Sequence, residues 1–170
     1  MEANAQRTMR GEGLLTAGAH YPFSGPYWMG VDLSYGQYLL GSYWRAGVDV
    51  TEYTHGLPDD IPMSYLQAVA SGDWMYRIAG TRSRVLNLYA GAGLFLGYEA
   101  ADPWSLLPED YREDFAPGVF IYGARLCLET EIFLSRRVAF VLGGRMPLCF
   151  PSQFGWFRYD AGAGIRLNLN

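Results

Sequence analysis

The residues with the clearest capacity for chemistry are the two histidines, His20 and His55. A histidine that contacts a serine can activate the hydroxyl for attack on an ester, so His20 with Ser24 or Ser152 could form a lipid-modifying site. The sequence places His20 at the end of a predicted strand and both serines in predicted loops. All three would lie near one rim of the fold, but most surface histidines are ordinary loop residues, and we expect no catalytic residue and no enzyme activity.

A second candidate is the acidic pair Glu129 and Glu131, which lies near Arg125. Residues two apart in a strand point to the same face, so these three side chains would meet. Paired carboxylates can act as general acid and base. Carboxylates beside an arginine also form ion pairs, and we favour this structural role because a buried charge must be paired.

The sequence carries no recognised motif for a metal or a nucleotide. Cys127 and Cys149 lack the spacing of a metal site. The segment Gly91-Ala92-Gly93 is followed by a strand rather than by a helix, which excludes a dinucleotide-binding turn. We therefore expect no metal and no cofactor. We also expect two free thiols, because the register of the predicted hairpin separates the cysteines by about 16 Å.

Composition describes a chain with little charge and many aromatic residues. Of 170 residues, 18% are charged and 16% aromatic, with 21 Gly and 13 Tyr. Soluble globular chains average about 25% charged residues. No run of ~18 apolar residues could cross a bilayer as a helix. The net charge of −4 and the lack of a basic block argue against direct nucleic-acid binding.

Alternation with a period of two is the dominant pattern, and it is clearest between positions 156 and 169. There the odd positions are apolar or aromatic, whereas the even positions include Arg158, Asp160 and Arg166. This length exceeds the ~5–6 residues of an ordinary strand and suits the ~9–11 residues of a membrane-barrel strand. Similar patterns predict strands at 13–22, 28–39, 43–53, 64–78, 85–99, 119–134, 138–148 and 156–169.

The connections between these segments alternate between short and long. The short ones are 40–42, 79–83 and 135–137, whereas the longer or proline-containing ones are 22–27, 55–62, 100–118 and 150–155. Bacterial outer-membrane barrels have this alternation, with short periplasmic turns and longer external loops. The sequence therefore predicts an all-β, single eight-stranded antiparallel up-and-down barrel of outer-membrane type over residues 13–170, with a polar, plugged interior.

If the apolar faces meet lipid, the charged faces fill the interior. An eight-stranded barrel is only wide enough to hold its own side chains. We expect a structural network of these interior charges: Asp32, Arg45, Asp49, Arg125, Glu129, Glu131, Arg145, Arg158, Asp160 and Arg166. The main alternative is a lipocalin-like barrel with the two faces exchanged, in which the apolar face would line a cavity for a small apolar ligand.

The N-terminal residues suggest export. Ala3-Asn4-Ala5 resembles the end of a secretory signal peptide. Residues 1–12 are accordingly interpreted as a remnant of a cleaved signal and a lead into the first strand, and the outer membrane is the expected location.

The long connection 100–118 combines acidic side chains with Trp104, Tyr111 and Phe115. Long loops usually carry function or are mobile. This loop could dock a partner protein, or it could fold as a lid over the mouth of the barrel.

Several short motifs resemble a known family. They are Ala5-Gln6-Arg7, Gly41-Ser42-Tyr43-Trp44, Gly97-Tyr98-Glu99, Tyr122-Gly123, Leu128-Glu129-Thr130-Glu131, Leu134-Ser135 with Arg137, and Gly162-Ala163-Gly164-Ile165. In this order they span nearly the whole mature chain, which resembles the TraO family of conjugative transposons in Bacteroides-type bacteria. The resemblance implies a structural or assembly component of a conjugation apparatus in the outer membrane. Its partners would be outer-membrane lipid and other transfer proteins.

Overall fold

The computed structural model describes residues 10–23, 29–56, 62–81, 85–101, 118–152 and 155–169, and the regular elements within them are all β-strands. They are β1 (Gly13–Pro22), β2 (Gly30–Tyr38), β3 (Ser42–Gly56), β4 (Pro62–Gly80), β5 (Leu86–Ala101), β6 (Val119–Phe133), β7 (Val138–Phe150) and β8 (Asp160–Leu169). The predicted eight-stranded antiparallel barrel is confirmed. In the part of the chain that the structure describes, no helix is long and apolar enough to cross a membrane.

Each strand pairs with its neighbour in sequence, and pairing of β1 with β8 closes the sheet. Gly13 lies opposite Leu169 and Pro22 lies opposite Asp160, so the closing seam runs along the whole length of both strands. The short links dictate the order, because a strand that follows a tight turn packs antiparallel beside its predecessor. Closure removes the sheet edges at which backbone groups would lack partners.

The two ends of the barrel differ in their connections. We call the end with links 39–41, 81–85 and 134–137 the turn end, and the opposite end the loop end. Gly41 has a φ of 77°, a left-handed conformation that favours glycine. It lets Leu39 donate its N–H to the carbonyl of Ser42 (2.8 Å). The first residue of β1 and the last residue of β8 pair at the turn end.

Strand boundaries differ from the predicted ones mainly at the loop end. β3, β4 and β5 have 15, 19 and 16 residues, and they extend beyond the predicted segments. The pairing of β3 with β4 continues to Gly56 and Pro62. The backbone pairing therefore extends beyond the residues that show a clear alternation of apolar and polar side chains.

β8 begins at Asp160 rather than at position 156, because the preceding residues fold back onto β7. Phe157 forms an isolated bridge with Leu148, and Cys149 donates its N–H to the carbonyl of Trp156 (2.8 Å). Trp156 is exposed, although the alternation placed it on the inner face.

The two cysteines lie on the inner faces of neighbouring strands. Cys127 of β6 is opposite Arg145, and Cys149 of β7 is opposite Gly123. Both are free thiols, as the register predicts. Cys149 belongs to β7 instead of following it, because this strand continues to Phe150.

Apolar side chains form the outer wall of the barrel. Leu94 is 71% exposed, and Leu126 and Val48 are both more than half exposed. On the inner face Glu129 and Arg166 are buried. The lipocalin-like alternative requires the opposite arrangement of faces, and the structure does not have it.

Aromatic side chains lie on the outer wall near both ends. Tyr98, Phe120 and Tyr159 are at least half exposed near the loop end, as are Trp74 and Tyr76 near the turn end. Tyr and Trp concentrate at the interfaces between membrane and water. Their positions therefore mark the two borders of the apolar band.

The variant Leu94→Arg tests whether the wall meets lipid. Leu94 points outward near the middle of β5, beside Gly72 and Ala124 of the adjacent strands. An arginine at the middle of a bilayer costs about 2–4 kcal/mol. The free energy of unfolding in lipid vesicles should fall by this amount, as measured by denaturant titration with the mobility of unboiled samples on gels. Leu94→Ala is the control, and equal stability of the two variants would show that the wall meets water.

Candidate functional site

Charged side chains fill the lumen, because the period of two sends every second residue of a strand inward. All ten residues predicted as an interior network point into the lumen and are buried or half-buried: Asp32, Arg45, Asp49, Arg125, Glu129, Glu131, Arg145, Arg158, Asp160 and Arg166. Asp73 and Glu99 join them and are also buried. These side chains form four groups along the barrel axis.

Arg166 is the centre of the group nearest the turn end. No part of its side chain is exposed, and its guanidinium lies 2.7 Å from Glu129 Oε1 and 3.0 Å from Glu131 Oε1. Its Nε donates to the hydroxyl of Thr16 (2.9 Å). One cation thus faces two carboxylates, and these carboxylates also accept hydrogen bonds from side chains of other strands.

Tyrosines and a second arginine supply those donors. The Tyr43 hydroxyl donates to Glu129 (2.5 Å), and the Tyr38 hydroxyl donates to Glu131. Arg45 Nη1 donates to the other oxygen of Glu129 (2.7 Å). The guanidinium of Arg166 also lies 4.7 Å from the centre of the Tyr43 ring, which is a cation–π distance. The group is therefore neutralised by contacts across the lumen as well as between adjacent strands.

Asp73 forms the second group with Arg45 and Arg125. Arg45 Nε lies 2.7 Å from Asp73 Oδ2, and Arg125 binds both carboxylate oxygens at 2.7 Å. This bidentate geometry is the strongest form of an arginine–carboxylate pair. Gly93 lies opposite Asp73, and a Cβ there would come within 2.0 Å of Asp73 Oδ1, so only glycine leaves room for the pair.

Glu99 and Arg158 form the group nearest the loop end. Arg158 Nη2 lies 3.0 Å from Glu99 Oε2 and donates to Ser152 Oγ (2.7 Å). The stacked rings of Tyr53 and Tyr65 pack against the guanidinium, with centres 5.1 and 5.7 Å from its carbon. The pair closes the lumen at this level.

The fourth group surrounds Arg145 and is rich in acid. Arg145 lies 2.8 Å from Asp49 and from Asp160, and 3.9 Å from Asp32. His20 reaches the same group, with Nδ1 3.6 Å from Asp32 Oδ1 and Nε2 3.7 Å from Asp49 Oδ2. Three carboxylates here share one arginine and one histidine.

The charge balance therefore differs among the groups. Glu129, Glu131 and Asp73 face three arginines, and Glu99 faces one. The group around Arg145 has two carboxylates more than it has arginines. Within the described residues, the excess negative charge of the lumen is thus concentrated beside His20.

The structure places His20 differently from the sequence-based hypothesis. His20 is 3% exposed, and its Nε2 lies 2.7 Å from the hydroxyl of Thr51. Ser152 bonds to Glu99 and Arg158 instead. The alternation of side chains in β1 could have predicted the inward orientation of His20. It could not have predicted the partner Thr51, which depends on the register of β2 with β3.

Some candidate residues lie outside the described residues. They are Ser24, the side chain of His55, and the loop residues Trp104, Tyr111 and Phe115.

Small cavities remain between the groups. One of about 50 Å³ is lined in part by His20, Asp32 and Arg145. Another of about 30 Å³ lies beside Gln67 and Cys149. Volumes of this size hold a few water molecules and exclude a larger solute.

Replacing Arg166 by methionine should strongly destabilise the barrel. The variant leaves Glu129 and Glu131 buried without their shared cation, and removing one partner of a buried pair costs about 3–5 kcal/mol. Urea unfolding of the refolded barrel in lipid vesicles measures the loss. Arg137→Met, at an exposed turn position, is the matched control and should change stability by less than about 0.5 kcal/mol. Equal stability of the two variants would refute a structural role for the lumen charges.

Solved structures with the same fold include outer-membrane barrels. The N-terminal β-barrel domain of Pseudomonas aeruginosa OprF is 14% identical, with a TM-score of 0.64 over 94% of this chain and 98% of that one. Ail of Yersinia pestis is 10% identical (TM-score 0.56, 94% and 99% covered), and Neisserial surface protein A is 16% identical (TM-score 0.53, 93% and 95% covered). At these identities the similarity concerns the fold alone.

Comparison with sequence models of protein families identifies the family of this chain. Comparison with curated proteins gave no significant match. The model of the family described as conjugative transposon protein TraO matches residues 13–169, which is the whole barrel from β1 to β8. The predicted family is thereby confirmed, and the chain belongs to the TraO family of conjugative transposon proteins.

Proposed function

We propose that this chain is a non-enzymatic outer-membrane barrel that serves a conjugative transfer apparatus as a structural or assembly component. Family membership supports the setting, since the match spans the entire barrel. The fold supports the location, since this barrel is similar to the outer-membrane barrels compared above. The outer membrane is reached by export, for which we expect a cleaved signal peptide.

The exposed apolar wall supports membrane insertion. The shortest strand has 9 residues and the longest has 19, and ~9–11 tilted residues cross a bilayer. The longer strands therefore have residues to spare beyond the membrane. In bacterial barrels the short turns face the periplasm, so we propose the same for the turn end.

The filled lumen is the observation that best supports the proposed role. Buried groups around Arg166, Asp73 and Arg158 succeed one another along the axis. A conduit for DNA or for solutes needs an open, hydrated path, and larger barrels provide it. The barrel is thus suited to anchor or assemble other transfer proteins, with DNA passing elsewhere.

Among the residues that the structure describes, the arrangement of His20 is the feature that favours an enzyme. Thr51, His20 and Asp32 have the order of nucleophile, base and orienting acid. Thr51 is 1% exposed and His20 is 3% exposed, so a lipid ester outside the barrel has no access to them. This burial supports the non-enzymatic proposal.

Purified barrel mixed with phospholipid vesicles should release no fatty acid. Release above the level of empty micelles would contradict the proposal.

The long connection 100–118 remains our proposed docking element. Its acidic side chains and the aromatic Trp104, Tyr111 and Phe115 offer both charge and apolar area to a partner protein. Its position at the loop end would present it outside the membrane.

A sealed barrel should not conduct ions. Reconstituted in planar lipid bilayers, the chain should give no steady conductance, because the ion-pair groups fill the cross-section of the lumen. A porin of larger strand number, inserted under the same conditions, is the positive control. A stable conductance that scales with the number of inserted molecules would overturn the sealed-barrel proposal.

Location and role can be tested together in cells. With a signal peptide, the chain should fractionate with outer membranes and run faster on gels when unboiled. Deleting it from a conjugative transposon should lower transfer frequency, and expression in trans should restore transfer. A periplasmic soluble protein would contradict the location, and unchanged transfer would contradict the role.

A further inference from the structure

Three neighbouring strands bring His20, Asp32 and Asp49 together. Asp32 and Asp49 are direct cross-strand partners in β2 and β3, and His20 of β1 pairs with Gly30. Like charges opposite each other weaken a sheet unless something neutralises them. One donor atom from each of the three side chains lies within 4.8 Å of the others.

These donors have the chemistry of a transition-metal site. Imidazole nitrogen and carboxylate oxygen bind Zn²⁺ at about 2.0–2.2 Å. Ligands of one ion are therefore separated by roughly 3–4 Å. From His20 Nδ1, the nitrogen that Thr51 does not occupy, Asp32 Oδ1 lies 3.6 Å away, which falls in this range and exceeds hydrogen-bond length. The 3.7 Å contact of Asp49 Oδ2 is to the other ring nitrogen, Nε2, so Asp49 joins the group at the wider spacing of up to 4.8 Å.

Charge supplies an independent argument. The carboxylates of Asp32, Asp49 and Asp160 share a single arginine, Arg145, in a buried setting. In the other groups of the lumen the number of arginines equals the number of carboxylates. A divalent cation would supply the two positive charges that this group lacks.

An unpartnered atom points to the same place. His20 Nδ1 has no hydrogen-bond partner among the described residues. Water cannot easily replace the missing partner, because only 3% of the residue is exposed. A buried polar atom without a partner is costly. The cavity of about 50 Å³ that His20 and Asp32 help to line provides space beside it.

The surrounding contacts hold the ligands in position. The Thr51 hydroxyl lies between His20 Nε2 (2.7 Å) and Asp49 Oδ1 (3.0 Å), and Arg145 binds Asp49 Oδ2 (2.8 Å). Such contacts orient metal ligands in proteins. Gly30 is required here, because a Cβ would come within 2.1 Å of His20 Nε2. Asp32 is partly exposed, which gives an ion a route from solvent.

We propose that His20, Asp32 and Asp49 bind one divalent transition-metal cation such as Zn²⁺ inside the barrel. The site adds to the proposed structural role and does not depend on it, since the geometry is that of the barrel alone. The bound ion would tie β1, β2 and β3 together beside the seam between β1 and β8.

Metal binding to the full chain refolded in detergent micelles tests the proposal. After removal of metal with a chelator, equilibrium dialysis against Zn²⁺ should give one ion per chain. Asp32→Asn and His20→Asn should weaken binding at least tenfold, whereas His55→Asn should leave it unchanged. Absence of saturable binding, or its loss in His55→Asn with retention in Asp32→Asn, would overturn the site and place any metal elsewhere.

A thermal measurement separates metal binding from folding defects. Without metal, Asp32→Asn should unfold at the same or a higher temperature than the unchanged chain, because it removes excess negative charge. Zn²⁺ should raise the unfolding temperature of the unchanged chain and not that of Asp32→Asn. An equal increase in both would refute the assignment of Asp32 as a ligand.

A spectroscopic measurement leaves the site intact. In His55→Asn, His20 is the single remaining histidine, so ¹⁵N-labelled histidine reports on it alone. Zn²⁺ should shift its ring-nitrogen resonances at one equivalent, whereas Mg²⁺ should not. Unshifted resonances at saturating Zn²⁺ would overturn the proposal.

Discussion

Arg166 is a full positive charge with no exposure to solvent, and the barrel depends on how this charge is neutralised. An unpaired charge of this kind would cost many kcal/mol, so Glu129 and Glu131 must approach it. These acids belong to β6 and Arg166 belongs to β8, so the contacts pass over the inner face of the intervening strand β7. The same requirement recurs at Asp73 and at Glu99, and it links the strands into one unit beyond their backbone hydrogen bonds.

The charged lumen and the apolar wall are two consequences of one alternation. Because successive side chains point to opposite faces, each strand of this chain places polar or charged groups in the lumen and apolar groups on the outer wall. In water this arrangement would leave a large apolar surface, whereas in a membrane that surface is satisfied by lipid. The lumen can then be polar without being open, since an eight-stranded barrel is narrow enough for its own side chains to fill it.

Among the four groups, the one around Arg145 departs from the rule of paired charge. Its three carboxylates are brought together by adjacent strands near the seam at which β1 meets β8. Conventional catalysis does not explain the arrangement, because His20 and Thr51 are buried. A bound cation explains both the excess acid and the unpartnered nitrogen of His20, and it would add a cross-link at the place where the barrel closes.

Local patterns in the sequence were sufficient to predict the faces of the strands and the order in which they pair. The alternation in 156–169 assigned Arg158, Asp160 and Arg166 to the lumen, and the short links required an antiparallel meander, because both follow from local backbone geometry. The contacts between side chains, in contrast, could be read only from the folded barrel. Contacts such as Tyr43 with Glu129, or His20 with Thr51, depend on register and on the closure of the barrel. Likewise, Trp156 leaves the inner face because the backbone of the segment before β8 forms hydrogen bonds with the end of β7. The alternation of side chains does not predict these backbone hydrogen bonds.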